Sequence, residues 1–175
     1  MATEPQHTSG FPPIENPAAR VLILGSMPGI ASLRAGQYYG HPRNQFWPLL
    51  GELLNRDLVA LAYPARLQAL RTAGIALWDV LRSCSRQGSL DADIAADSIV
   101  VNDFVPFFER HPGIGHVCCN GSTAERLFLK WVQPRLGAGA PHVWRLPSTS
   151  PAHAALNYQA KLERWRAMLL PLLRS

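Results

Sequence analysis

The chain has 175 residues, of which 47% are hydrophobic and 17% are charged, a balance typical of one globular domain rather than a disordered chain. Its formal net charge of +5 is a mild basic bias, compatible with a polyanionic partner but common enough to prove nothing. The three cysteines are too few for a four-cysteine iron–sulfur cluster and are not spaced as metal ligands, so we expect free thiols and neither a metal nor another cofactor.

Residues 1–19 are predicted to form a loose N-terminal arm before a single catalytic domain made by residues 20–175. The arm is polar and rich in proline, and residues 11–14 are candidates for pinning it to the domain. It lacks the apolar core of a signal peptide, and no apolar stretch reaches the roughly 20 residues needed to cross a membrane. We therefore expect a cytoplasmic monomer that makes no contact with membranes.

Four short runs are predicted to be strands of one sheet. The first is apolar on both faces, as a buried parallel strand is; the runs are residues 21–25, 75–80, 116–119 and 142–146. Segments with helical spacing lie between or after them, at residues 46–54, 65–72, 122–132 and 153–173. This alternation predicts an α/β fold, a three-layer α/β/α sandwich with a four-stranded, mainly parallel sheet.

The first strand ends in a sharp turn that contains glycine and proline, at the sheet edge where open α/β sheets bind ligands. Soon after it, residues 37–47 combine two tyrosines, a histidine, an arginine, an asparagine, a phenylalanine and a tryptophan. A hydrophobic core needs no such mixture, whereas a pocket that holds a flat polar ring does. The two segments together predict a binding pocket at this edge.

Four blocks in this order resemble the uracil-DNA glycosylase superfamily, and most closely its hypoxanthine-DNA glycosylase branch (family 6), which is related to mismatch-specific thymine and uracil glycosylases. The blocks are Gly25-Ser26-Met27-Pro28-Gly29, Arg43-Asn44-Gln45-Phe46-Trp47, Gly74-Ile75-Ala76-Leu77-Trp78-Asp79-Val80 and Leu146-Pro147-Ser148-Thr149-Ser150-Pro151-Ala152-His153. The resemblance implies a DNA glycosylase that hydrolyses the N-glycosidic bond of a deaminated base, hypoxanthine above all, flipped out of double-stranded DNA in base excision repair. No lysine lies in these blocks to form a Schiff base, so a monofunctional enzyme is expected.

Two alternatives stay open. One is a uracil-DNA glycosylase acting on G:U mismatches, because uracil and hypoxanthine both offer an N–H beside a carbonyl. The other is a non-catalytic α/β module that binds nucleotides or nucleic acid, although the first turn lacks the P-loop and three-glycine patterns of cofactor sites.

Asn44 is the candidate for the main catalytic residue. Breaking the bond gives an oxocarbenium-like sugar and an anionic base, and a carboxamide can both orient water and donate to that base. The resemblance implies the same, because Met27 stands where mismatch-specific relatives carry their catalytic asparagine. Asn44 could instead only cap the following helix. His41 is the second catalytic candidate, as a proton donor or phosphate contact, unless it is merely a solvated loop histidine.

The predicted base pocket comprises Gly25, Ser26, Met27, Pro28, Tyr38, Tyr39, Phe46, Asp79 and Asn120. The tyrosines could stack on the base or simply pack, and Phe46 takes the family's stacking position. Asp79, at a position where thymine-specific relatives read the base, could accept the N1–H that hypoxanthine has and adenine lacks. It could equally cap its turn or bond Arg82. Asn120 could line the pocket or form an ordinary turn.

The second signature loop is expected to hold the DNA backbone through Ser148, Thr149, Ser150 and His153. The same hydroxyls would also suit a capping cluster for the last helix. Ala152 falls where thymine-specific relatives place a wedging arginine, and alanine cannot fill the space of a vacated base. The sequence leaves the wedge unassigned, with His153 and Leu156 as candidates.

Overall fold

A computed structural model of the chain describes residues 5–174; residues 1–4 of the predicted arm and Ser175 of the predicted domain lie outside it. The strands are β1 (Gln6–Ser9), β2 (Val21–Gly25), β3 (Ile75–Asp79), β4 (Leu81–Arg86), β5 (Val100–Val101), β6 (His116–Asn120) and β7 (His142–Leu146). The helices are α1 (Ile30–Ala35), α2 (Phe46–Leu53), α3 (Tyr63–Thr72), α4 (Phe104–Arg110), α5 (Ser122–Trp131), α6 (Gln133–Leu136) and α7 (Tyr158–Arg174).

The central sheet is four-stranded and wholly parallel, in the order β3–β2–β6–β7, which confirms the predicted sheet. Gly25 pairs with Asp79 across β2 and β3, and Asn120 pairs with Leu146 across β6 and β7. Because the strands run the same way, these residues all lie at one edge of the sheet. The loops that follow the strands therefore meet there.

Both faces of the sheet are covered, so β2 is buried along its whole length. Val21 and Ile23 belong to one apolar layer, with residues of α2, α3 and α7. Leu22 and Leu24 point to the other face, into a layer with residues of α4 and α5. This is the predicted three-layer sandwich, and it explains why the run contains no polar residue.

A second sheet, antiparallel in the order β1–β4–β5, was not predicted from the sequence. Most residues of β4 are polar, so the sequence of this strand has no apolar run by which it could be predicted. Its partner β1 lies in the predicted N-terminal arm, and farther along this arm Ile14 forms a bridge with Leu77 and is buried. The described part of the arm is thus packed against the domain rather than loose.

Helix α7 begins at Tyr158, not at residue 153 as predicted. The side chain of Asn157 caps it by accepting a hydrogen bond from the Ala160 N–H at 2.9 Å. His153 therefore lies in the loop between β7 and α7 instead of on the helix. Across residues 5–174, no helix combines the length and the apolarity that a membrane-spanning helix requires.

Candidate active site

A cavity of about 340 Å³ opens at the carboxyl edge of the central sheet. All but one of the site residues predicted from the sequence border it: Gly25, Ser26, Met27, Pro28, Tyr38, Tyr39, His41, Asn44, Asp79, Asn120, Ser148, Thr149, Ser150 and His153. These residues come from five separate stretches of the chain, and the parallel sheet brings them together. The exception is Phe46.

The close approach of β2 and β3 forms part of the cavity wall. A Cβ placed on Gly25 would lie 2.3 Å from Asp79 Oδ1 and 3.1 Å from the Tyr39 hydroxyl, so only glycine leaves room for both side chains. Asp79 is only 4% exposed, and its Oδ2 has no hydrogen-bond partner within the described residues. A buried carboxyl oxygen left unpaired in this way is available to a ligand.

Burial raises the pKa of the Asp79 carboxyl from 3.8 to about 7. The nearby carboxyl of Asp91 raises this pKa further, whereas the Arg86 guanidinium lowers it. The positive charge that acts on Asp79 is thus Arg86, not the exposed Arg82 suggested by the sequence. Near neutral pH both the ionised and the protonated forms of Asp79 are populated.

Asn44 lies in a tight turn that fixes its carboxamide. Its Oδ1 accepts a hydrogen bond from the Phe46 N–H at 3.0 Å, at the start of α2. Its own N–H donates to the His41 carbonyl at 2.9 Å, and His41 Nδ1 accepts from the Arg43 N–H at 3.0 Å. The oxygen of Asn44 therefore stabilises the helix terminus, while the same side chain borders the cavity. The two interpretations of Asn44 are compatible.

Phe46 does not reach the cavity. Its side chain is fully buried, and the Tyr39 ring stacks on it with centroids 3.9 Å apart and an angle of 19° between the planes. Its other neighbours include Trp165, met edge-on. The expected direct stacking of Phe46 on a base is therefore wrong in this arrangement, because Tyr39 occupies that position.

Tyr39 itself adopts a left-handed backbone conformation, with φ of 54°, which is unusual for a bulky residue. Burial and the Asp79 carboxyl raise the pKa of its phenol. Tyr38 is held more simply: its hydroxyl donates to the Pro12 carbonyl at 2.9 Å, so it joins the site to the arm. Strain at Tyr39 places an aromatic ring beside the cavity.

Thr149 is fully buried, and its hydroxyl and N–H form hydrogen bonds within the protein. This corrects its predicted contact with the DNA backbone. Asn120 donates to its hydroxyl and accepts from its N–H, each at 2.9 Å. The Thr149 carbonyl accepts from the Gln45 N–H at 3.0 Å. Asn120 and Thr149 therefore join the end of β6, the signature loop and the Asn44 turn into one unit.

Ser148 and Ser150 are half-buried at the cavity. Their hydroxyl oxygens accept hydrogen bonds from the N–H groups of Ser150 and Ala152, each at 3.2 Å. Each hydroxyl keeps its hydrogen to donate to a ligand. His153 donates its N–H to the Ser150 carbonyl at 3.0 Å, so the loop is internally braced.

Residues 89–91 also border the cavity, although they lie outside the four blocks. They lie between β4 and β5, beyond the end of the third block at Val80. The Ser89 hydroxyl accepts from the Ile30 N–H at 2.9 Å, and the Asp91 carboxyl accepts from the Ser26 hydroxyl at 2.7 Å. Burial raises the pKa of Asp91. The hydrogen bonds that this carboxyl accepts from Ser26 and Thr123 partly offset the rise.

The three cysteines take no part in this site. Cys84, Cys118 and Cys119 are buried free thiols, and burial raises the pKa of Cys118 to about 12, far from that of a reactive thiolate. Residues 5–174 contain no group of three or more histidine, cysteine, aspartate or glutamate side chains placed to hold a metal ion.

The fold and this cavity define a glycosylase-like α/β protein. The family model of the uracil DNA glycosylase superfamily matches residues 12–174, and the chain belongs to that superfamily. This confirms the family predicted from the four blocks.

Two proteins named hypoxanthine DNA glycosylase are similar to the chain. The one from Methanosarcina barkeri is 43% identical over 112 residues, covering 64% of this chain and 70% of that protein. The one from Methanosarcina acetivorans is 36% identical over 159 residues, covering 91% and 96%. A solution NMR structure of a candidate uracil DNA glycosylase from M. acetivorans superposes with a TM-score of 0.80 at 34% identity, covering 95% of this chain and 99% of that one.

Proposed function

We propose that this chain is a monofunctional hypoxanthine-DNA glycosylase that acts on deoxyinosine in double-stranded DNA during base excision repair. Water adds to C1′ of the sugar, the bond from C1′ to N9 breaks, and the base leaves with the electron pair and gains a proton. The observation that carries this proposal is the cavity that unites Asn44, Asp79 and the 148–153 loop, in a chain similar to two proteins named hypoxanthine DNA glycosylase.

The cavity suits a single flipped base in size and chemistry. Its volume of about 340 Å³ is at the lower end of the range for small-molecule sites, roughly 300–1,000 Å³. Tyr39 presents an aromatic ring for stacking, and Phe46 supports it from behind. This arrangement transfers the stacking role expected of Phe46 to Tyr39.

Asp79 offers its unpaired Oδ2 to the base edge. The ionised carboxylate accepts the N1–H of hypoxanthine, whereas adenine has a lone pair there that it repels. The protonated carboxyl donates to the base as negative charge develops on it. A pKa of about 7 makes both forms available at neutral pH, so one side chain contributes to recognition and to departure of the base.

Asn44 completes the chemistry at the sugar. Its Oδ1 is oriented by the Phe46 N–H and keeps a second lone pair for water, while Nδ2 can donate to the departing base. His41 lies in the same turn, where it can reach a flanking phosphate or supply a proton. Both roles are supported by the position of the turn beside the cavity.

The hydroxyls of Ser148 and Ser150, together with His153, are proposed to bind the phosphates that flank the flipped nucleotide. Thr149 holds this loop in place. One chain supplies the whole cavity, so a monomer suffices for the reaction, and we propose a monomeric enzyme in the cytoplasm.

The test is to incubate the protein with duplex oligonucleotides that carry inosine, uracil or xanthine and then cleave abasic sites with alkali. The inosine strand should be cut fastest. Faster cutting of the uracil strand would favour the second candidate, a uracil-DNA glycosylase, which the similarity to the M. acetivorans structure supports. Binding to DNA without any cutting would instead indicate the non-catalytic module.

A further inference from the structure

Flipping a base out of duplex DNA leaves an empty space in the stack, and the energy of unstacking has to be offset. Proteins that open base steps commonly do so with an apolar side chain, leucine among them, inserted between the bases. A large exposed apolar side chain at the cavity mouth is therefore a candidate for this role. Ala152, on the signature loop, is too small to fill the space of a base.

Leu90 fits this description. It is 53% exposed and borders the cavity, on the connection between β4 and β5 rather than on the signature loop. The other large apolar residues that are exposed in the described part of the chain do not border the cavity: Ile30, Val59, Val100, Val105, Leu129 and Trp131. We propose that Leu90 is the wedge that enters the duplex when the base is flipped. This inference rests on the proposed function.

The segment around Leu90 is held on both sides, as a wedge requires. Ser89 accepts a hydrogen bond from the Ile30 N–H, and Asp91 accepts one from the Ser26 hydroxyl. Arg86 and Ile94 form a backbone bridge that closes the loop. Because the backbone is ordered before DNA arrives, inserting Leu90 loses little conformational entropy. The hydrogen bond between Ser26 and Asp91 also fixes this segment relative to the turn after β2, which borders the cavity.

The two residues that the sequence suggested for the wedge are placed less well. His153 is half-buried, and its carbonyl accepts a hydrogen bond from the Lys161 ammonium at 2.8 Å, which ties this part of the loop to α7. Leu156 does not border the cavity. Leu90 and the signature loop instead lie on different elements around one mouth, so the wedge and the phosphate contacts are supplied separately.

The experiment compares Leu90→Ala with Leu129→Ala, which makes the same change at an exposed leucine on α5 away from the cavity. Base flipping is followed by the fluorescence of 2-aminopurine placed beside inosine in a duplex, which brightens when its stacked neighbour leaves. Excision is measured in single turnovers on the same duplex and on single-stranded DNA. Leu90→Met serves as the conservative variant.

We expect Leu90→Ala to lose most of the fluorescence rise and to excise inosine from the duplex roughly 10- to 100-fold more slowly, the scale of unstacking a base step. Excision from single-stranded DNA should be unchanged, since no stack has to be opened. Leu129→Ala should match the wild type, and Leu90→Met should retain most of its activity.

If Leu90→Ala flips the base as well as the wild type does, Leu90 is not the wedge. An equal loss of excision rate on duplex and single-stranded DNA would also contradict this assignment. If the wild type excises inosine from neither DNA, the proposed function fails. The fluorescence comparison then still decides the wedge: a rise that Leu90→Ala abolishes and Leu129→Ala keeps supports it, and the absence of any rise overturns it. If the wild type cuts the duplex but not single-stranded DNA, the fluorescence comparison again tests the wedge.

Discussion

The two ends of the central sheet differ in how fully their polar groups are hydrogen-bonded. At the amino end, His116 accepts a hydrogen bond from the Trp144 indole at 3.1 Å, and the Arg20 N–H donates to the Gly74 carbonyl at 2.9 Å. At the carboxyl end, the buried Asp79 keeps an unpaired oxygen, and Tyr39 holds a strained backbone beside it. Strand pairing is equally regular at both ends. Unpaired polar atoms and strain therefore separate the site from the scaffold.

The largest effect is expected at Asn44. Asn44→Ala should slow single-turnover excision by about 10² to 10³, the usual scale for losing one oriented donor to the transition state. Binding to DNA that contains inosine should change little, because the phosphate contacts remain. Excision rates and binding by anisotropy provide the measurement.

Asn44 also accepts a hydrogen bond from the Phe46 N–H at the start of α2, so its removal could cost about 1 kcal/mol of stability, and the thermal midpoint must be measured alongside the rate. Asn44→Asp keeps the oxygen but not the amide donor. Full activity in Asn44→Asp would assign the residue to water positioning. Wild-type excision by a folded Asn44→Ala protein would contradict a catalytic amide altogether.

Asp79 should make both stability and activity depend on pH. Its pKa is about 7 in the fold and near 3.8 when unfolded, so the folded protein holds the proton more tightly. The contribution of the protonated Asp79 to stability is therefore fully present below about pH 4 and is lost as the pH rises through 7. Asp79→Asn should reduce this loss by up to a few kcal/mol, with a remainder from Asp91, whose pKa is also raised.

Urea unfolding of both proteins at pH 5 and pH 8 measures the difference. Because recognition uses the ionised carboxylate and departure of the base uses the protonated one, wild-type excision of hypoxanthine should be fastest near pH 7 and slower on either side. Asp79→Asn should show a flatter profile. Equal pH dependence of stability in the two proteins would show that Asp79 is not the buried group that titrates.

A smaller effect is expected from Asn120→Ala. It removes two hydrogen bonds to Thr149 and leaves the buried N–H of Thr149 without a partner, which typically costs about 1–3 kcal/mol. The signature loop should also move relative to the Asn44 turn, so we expect excision to slow by roughly tenfold. Urea unfolding and single-turnover rates test both effects. Loss of stability with unchanged excision would mean that the loop keeps its position by other contacts.

The smallest effect is expected at the amino end of the sheet. Trp144→Phe removes the hydrogen bond to His116 and should cost at most about 1 kcal/mol, because the pair is only partly buried. Excision should be unchanged. A clear fall in excision by this variant would show that the two ends of the sheet are coupled.

The sequence by itself determined the parallel sheet and the edge at which the site lies. Val21–Gly25 must be buried on both faces because it is apolar throughout, and each strand of the sheet is followed by a loop at the same edge. The four blocks also determined the family. All but one of the site residues predicted from the sequence border the cavity, although the cavity has further lining residues that were not predicted.

Only the tertiary structure decided which of these side chains are free to act. Phe46 lies behind Tyr39, and Thr149 uses its polar groups within the protein. Leu90 borders the cavity because β4 pairs with strands distant in the chain, although β4 itself has no apolar pattern. Burial, hydrogen-bond pairing and the raised pKa of Asp79 all depend on such distant neighbours, and local sequence patterns carry no record of them.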